Sequence, residues 1–188
     1  PQPAFGPQTE LPPPKVNLQL DVDSAADVTA LEPVLRAIEE RGWRVTIYVA
    51  GAFAAEHPEA VRALARRGHE IGVHGWQPDE DLTALSYDEQ LALITRAWRA
   101  VQQALGDANA ALHFKPQGLR QNADTYRALR ALRAKSTTGI FLLDNDIFRC
   151  GYCERAGMNR ILHPYDLPDE LVAIPVSEAH VNGEHVPL

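Results

Sequence analysis

Apolar and polar side chains alternate with a period of two along Val16–Asp23, which predicts a strand with Asn17, Gln19, Asp21 and Asp23 on one face. The period then lengthens. Leu31, Leu35 and Ile38 recur at helical spacing, with Thr29 and Glu32 at capping-box distance, Pro33 suited to a first turn and Gly42 at the end. Arg44–Ala50, rich in Val, Ile and Tyr, reads as a second strand, and a helix from His57-Pro58 to Gly68 follows it. His69–Gly75 reads as a third strand. Beyond a polar loop, Ser86 and Glu89 form a capping box ahead of Leu91, Ile94, Trp98, Val101 and Leu105, the clearest amphipathic helix in the chain.

The remaining pattern predicts a strand at Leu112–Lys115, a helix from about Asn122 to Lys135, and strands near Thr138–Leu143, Arg160–Leu162 and Leu171–Val176. Strands alternating with helices build a parallel sheet covered by helices, so the expected class is α/β, and six or seven such units in this length imply a small, distorted barrel. Residues 1–14 are proline-rich and aperiodic and read as an extended arm, leaving residues 15–188 as one domain. One junction breaks the pattern. Three helices end in Gly42, Gly68 and Gly106, but Ala134-Lys135-Ser136-Thr137 passes from helix to strand without such a signal, so either that helix ends early or a few residues are absent there.

Composition narrows the class of partner. With 188 residues, 45% of them apolar, the chain can bury one core. The formal charge of −7 is spread along helical stretches and no window gathers a Lys/Arg stripe, which argues against nucleic acid. No run reaches the roughly 20 apolar residues of a membrane span, and no basic-then-apolar leader opens the chain. The expectation is a soluble protein without a transmembrane segment, cytoplasmic or exported with its leader removed. Cys150 and Cys153 form a Cys-Gly-Tyr-Cys pair that suits a redox pair, half a zinc site or two loop thiols.

Candidate chemistry gathers at strand ends. Asp21 and Asp23 close the first strand, at the carboxyl end where barrel enzymes assemble their sites. Two like charges on one face need a metal, a cationic side chain or a proton between them; the plainer reading is an N-cap and turn pair before the first helix. His74 closes the third strand and should reach the same rim, as a metal ligand would, whereas His69 opens that strand and should be structural at the far end.

These segments resemble a known family. Leu20-Asp21-Val22-Asp23, then Gly68-His69-Glu70-Ile71-Gly72-Val73-His74-Gly75-Trp76 with Asp81-Leu82 and Leu85-Ser86, then Phe114-Lys115-Pro116, look like the first three motifs of the polysaccharide deacetylases (NodB homology, carbohydrate esterase family 4). Ala173-Ile174-Pro175-Val176 looks like a late strand of that family. The resemblance implies a distorted (β/α)7 barrel that holds one divalent metal, commonly zinc, and removes N-acetyl groups from the amino sugars of an acetylated glycan. It implies Asp21 as the base, Asp23 and His74 as metal ligands, and Lys115, where the family usually has arginine, as the cation that orients the base.

The sequence departs from the family in two places. The family's second metal histidine falls four residues after the first, where this chain has Pro78; Asp79, Glu80, Asp81 or a water would have to fill the gap, unless residues are absent between Gln77 and Pro78. For the late histidine that acts as general acid, His163 in Leu162-His163-Pro164 is the candidate, with His180 and His185 behind it. Two other functions fit the same features: a catalytically impaired homologue that binds glycan, and an amidohydrolase of the same fold acting on a small cyclic amide.

Overall fold

The computed structural model describes residues 17–108, 110–111, 113–139, 165–166, 171–175, 178–181 and 184–187. The proline-rich arm, the Cys150/Cys153 pair, the expected strand at Arg160–Leu162 and His163 lie outside these residues.

The strands are β1 (Gln19–Val22), β2 (Thr46–Val49), β3 (Glu70–Val73), β4 (His113–Phe114), β5 (Ser136–Gly139), β6 (Tyr165–Asp166), β7 (Val172–Pro175), β8 (Glu178–Val181) and β9 (Glu184–Pro187). The helices are α1 (Ala25–Glu39), α2 (Gly51–Glu56), α3 (Pro58–Arg66), α4 (Tyr87–Leu105) and α5 (Ala123–Ala131). The main sheet runs β1-β2-β3-β4-β5-β7-β6, with six strands parallel and β6 antiparallel on the edge; β8 and β9 form a separate hairpin.

The sheet is strongly curled. Four strand steps separate β1 from β5, about 19 Å on a flat sheet at roughly 4.8 Å per step. Yet Gln19 Nε2 donates to Thr138 Oγ1 at 3.1 Å, and the Tyr48 hydroxyl of β2 meets the same oxygen at 3.1 Å. The strands therefore form a half-barrel whose interior these side chains cross, the α/β architecture expected from the alternating pattern. No helix among the described residues is long and apolar enough to cross a membrane.

Local chemistry accounts for the helix ends, and three of them differ from the sequence expectation. Helix α1 begins at Ala25 rather than near Thr29, because Ser24 and Asp27 make the capping box; Thr29 Oγ1 instead bonds back to Ala25 O at 3.2 Å, and Pro33 lies inside the helix. Helix α2, too short to show a period, fills the stretch between the expected second strand and the helix from His57, and carbonyls of the β3 loop accept from its first amides (Gly51 N–H to Gly75 O at 2.9 Å, Ala52 N–H to Trp76 O at 2.8 Å). Helix α5 ends at Ala131, not Lys135. Arg133 adopts a left-handed φ of 59° where α1, α3 and α4 use glycine, and Ala134 N–H closes on Leu129 O at 2.9 Å, so the turn to β5 is complete with the residues present. The fifth strand correspondingly starts at Ser136, ahead of the expected Thr138.

Helix α4 keeps its Ser86/Glu89 box and buries Ile94, Trp98 and Val101 while packing against α2, α3 and α5. Burial of the aliphatic pair Ile94 and Val101 contributes about 1.5–3 kcal/mol each. Across the sheet, Val22, Val49, Val73 and Phe114 pair in register and are fully buried. That row is the floor beneath the candidate site.

Candidate functional site

One residue beyond the buried row, the parallel strands deliver Asp23, Ala50, His74 and Lys115 side by side. Their backbone ladder continues that far: Ala50 N–H bonds to Val22 O at 3.0 Å, His74 N–H to Val49 O at 2.9 Å and Lys115 N–H to Val73 O at 2.9 Å. Parallel register thus brings residues 23, 74 and 115 to one rim, the carboxyl end of the strands. Asp21, two residues before Asp23, sends its side chain to the same interior.

Lys115 Nζ donates to both oxygens of Asp21, at 2.9 and 2.8 Å. The ammonium is only 14% exposed, against 36% for the carboxylate, so the pair sits half out of water. Its other neighbour is the Tyr48 ring, with the centroid 5.7 Å away. Burial pushes the Tyr48 phenol up to about 12, so at neutral pH it remains a hydroxyl engaged with Thr138. Gly72 makes room for that ring: a Cβ there would lie 2.6 Å from two of its carbons.

His74 is buried, and its Nδ1 lies 2.8 Å from the backbone oxygen of Lys115. A carbonyl only accepts, so Nδ1 carries the proton and Nε2 presents its lone pair. Nε2 is 3.6 Å from Asp21 Oδ2, beyond hydrogen-bond length. Orientation of an imidazole through its second nitrogen is what metal-ligating histidines use.

Asp23 is held by a residue that sequence reasoning missed. Gln117, buried in the short turn after β4, donates from Nε2 to Asp23 Oδ1 at 2.7 Å and to His74 O at 3.0 Å. The only sequence signal was its place two residues after Lys115.

Glu80 is one of the three acidic residues that the sequence offers for the gap at Pro78. Its Oε2 accepts from the Trp76 and Gln77 amides at 3.0 and 3.2 Å, closing the loop around the Pro78–Asp79 turn. Its Oε1 is buried and has no partner among the described residues. Burial chiefly pushes the Glu80 carboxyl above its ordinary range; the two amides pull it down, and the charge of Asp23 adds to the rise. Trp76 is pinned by the Arg96 guanidinium, 3.5 Å from its ring centre.

Of the residues singled out in the sequence, the structure brings Asp21, Asp23, His74 and Lys115 to one rim. His163 lies outside the described residues, and the side chains of His180 and His185 are likewise not described. His69 sits at the opposite end of β3, where its Nε2 is 2.9 Å from Glu39 Oε1 in a cluster with Arg67. Among the described residues, no three His, Cys, Asp or Glu side chains gather as a ready-made metal cage.

The fold recurs in solved structures. A family 4 carbohydrate esterase from Streptomyces lividans, in complex with acetate, superposes with a TM-score of 0.57 at 24% identity, over 68% of this chain and 62% of that one. A family 4 pseudoenzyme from Bacillus anthracis gives 0.57 at 16% identity over 66% and 42%. A family 4 acetyl xylan esterase from Clostridium thermocellum, in complex with a cobalt ion, gives 0.53 at 21% over 65% and 56%. The chain spans less than two thirds of each. At these identities the likeness establishes the fold alone. No curated protein sequence matches closely. The sequence model of the polysaccharide deacetylases matches residues 9–136, more than half of the chain, and the protein belongs to that family.

Proposed function

We propose that the protein is a divalent-metal hydrolase that removes N-acetyl groups from the amino sugars of a polysaccharide. The observation that carries this reading is the Asp21–Lys115 pair set beside a histidine whose tautomer leaves Nε2 available. The donor chemistry fits a divalent cation: a neutral imidazole nitrogen from His74 and a carboxylate from Asp23, with zinc the natural ion for such a mixed set. When bound, the ion would acidify water and polarise the acetyl carbonyl.

The chain's own residues supply the remaining chemistry. Asp21 serves as general base, and its carboxylate is aimed by the two contacts from Lys115. Gln117 and the Lys115 carbonyl hold Asp23 and His74 in place. His163 is the proposed acid for the departing amine. The proposal is tested by measuring acetate release from an N-acetylglucosamine oligomer with zinc added and with chelator present. Release that depends on the metal is expected; none under either condition refutes the activity.

Pro78 favours a second reading. It stands where the family has its second histidine, and no three ligands are gathered among the described residues, so a glycan-binding homologue without catalysis also fits. Saturable binding of the same oligomer without acetate release would select it.

A further inference from the structure

We infer that the apolar groove between α1 and Trp43 is a docking site for this chain's own proline-rich arm, with Leu11-Pro12-Pro13-Pro14 as its occupant; the inference is independent of the hydrolase reading. Among the described residues, the large apolar side chains that stay exposed are Leu18 at 36%, Val34 at 44% and Trp43 at 56%. Two of these three line one groove, together with Pro33, Ala37, Ile38 and Arg41. Helical spacing builds it: Pro33, Ala37 and Arg41, and beside them Val34 and Ile38, follow one another at i, i+4 along one side of α1 and the turn after it. Gly42, with φ of 71°, then turns the chain back so that Trp43 N–H bonds to Ile38 O at 3.1 Å, which places Trp43 at the end of the helix.

The third exposed residue, Leu18, lies where the arm joins β1, and its carbonyl accepts from Thr46 N–H at 3.0 Å, only three residues beyond Trp43. Gln19 and Thr46 are register partners, about 4.8 Å apart, and three residues span at most about 11 Å, so Trp43 lies within roughly 16 Å of Gln19. Pro14, five residues before Gln19, can reach about 17 Å. The arm is therefore long enough, and its composition suits the groove. Successive prolines fix φ near about −65° and favour the polyproline II conformation, which loses little entropy on docking and is the form that aromatic-lined grooves accept. Its carbonyls have no internal partners, and the groove offers two donors, the Trp43 indole N–H and the Arg41 guanidinium, of which only Nη1 is engaged, with Ala37 O at 2.6 Å. Leu11 adds an apolar side chain to the same segment. Tethering favours this occupant over a free partner, since a short linker holds its segment at an effective concentration on the order of millimolar.

The test uses the full chain labelled with fluorotryptophan and followed by fluorine NMR, the line of Trp43 being identified by its loss in Trp43→Phe. An arm variant carries Leu11→Ser and Pro13→Gly. In it the Trp43 line should move, and its shift between light and heavy water should grow as the ring meets solvent. The line of Trp98, buried in α4, should stay in place and report an intact fold. Melting midpoints of the arm variant, of Trp43→Ala and of the combination complete a cycle. Each change alone should lower the midpoint by about 2–4 °C. The combination should lower it little further, because both changes remove the same contact. An unmoved Trp43 line in the arm variant, or additive midpoints, would overturn the inference. A Trp43 line that moves with protein concentration, with a dimer seen in sedimentation, would overturn it in favour of a second copy on the groove.

Discussion

Lys115 Nζ reaches from the end of β4 to β1 and contacts both oxygens of Asp21, at 2.9 and 2.8 Å, while the backbone oxygen of the same Lys115 fixes the ring of His74. One residue thus serves two groups through chemically separate atoms, and substitution can separate them. The carbonyl survives any change of side chain. The ammonium does not.

Lys115→Met should therefore lower kcat by up to the roughly 10²–10⁴-fold that a general base is worth, with metal content unchanged. Lys115→Arg, which replaces a point charge with a planar fork, should retain more activity than the methionine variant. Acetate release and metal content measured on the same preparations decide this; loss of metal in Lys115→Met would show that the side chain also supports the ligands.

Base and ligand roles separate in the same way at Asp21 and His74. Asp21→Asn should cost on the order of 10²–10⁴ in rate and keep fold and metal, since the base is needed only for proton transfer. His74→Ala should lose metal and activity together, because the ligand holds the ion itself. Full activity in Asp21→Asn would sink the base assignment.

The rim was legible in the sequence because it depends on backbone rules. Period-two alternation put Asp21 and Asp23 on one face, and the ends of β3 and β4 in a parallel sheet had to bring His74 and Lys115 beside them. Capping was legible at Ser86/Glu89 and misread at the first helix, where Ser24/Asp27 and not Thr29/Glu32 makes the box and Val28 packs against the core. Gln117 was not legible as a site residue, since its role depends on tertiary approach: an amide bridging Asp23 to the His74 carbonyl. Glu80 was legible only as one of three acidic candidates, because the packing of its carboxylate on Gly75 is likewise tertiary. The early end of α5 was hidden because Arg133 takes a left-handed turn that sequence rules reserve for glycine.

At the opposite end of the half-barrel, Glu70 links three neighbouring strands, with Oε1 2.9 Å from His113 Nε2 and Oε2 accepting from Thr46 at 3.0 Å. The hydrogen bond from His113 is the main cause that holds the Glu70 carboxyl below its ordinary 4.5; the nearby Lys135 adds to it. A depressed carboxyl stabilises the fold above its unfolded value, and that contribution is lost as pH falls through the folded value. Thermal midpoints measured from pH 7 to pH 3 should therefore fall more steeply below about 4.5 in the unaltered protein than in Glu70→Gln. Parallel curves for the two would remove Glu70 from the acid response.

Gln117 offers the sharpest test of how the site is held. Both hydrogens of its amide are spent, one on Asp23 Oδ1 and one on the His74 carbonyl, so it ties the two proposed ligands to each other from a buried position. Gln117→Leu keeps similar bulk and removes both donors. The His74 carbonyl, left without that donor, should cost about 1–3 kcal/mol of stability, read from urea unfolding. Asp23, no longer held, should bind zinc more weakly by roughly 10–100-fold, the usual cost of losing an outer-shell partner. Gln117→Glu should do worse on affinity than its conserved shape suggests, because it sets a carboxylate against Asp23 in place of a donor. If Gln117→Leu loses stability but binds zinc like the unaltered protein, Gln117 braces the turn after β4 and does not position the ligand.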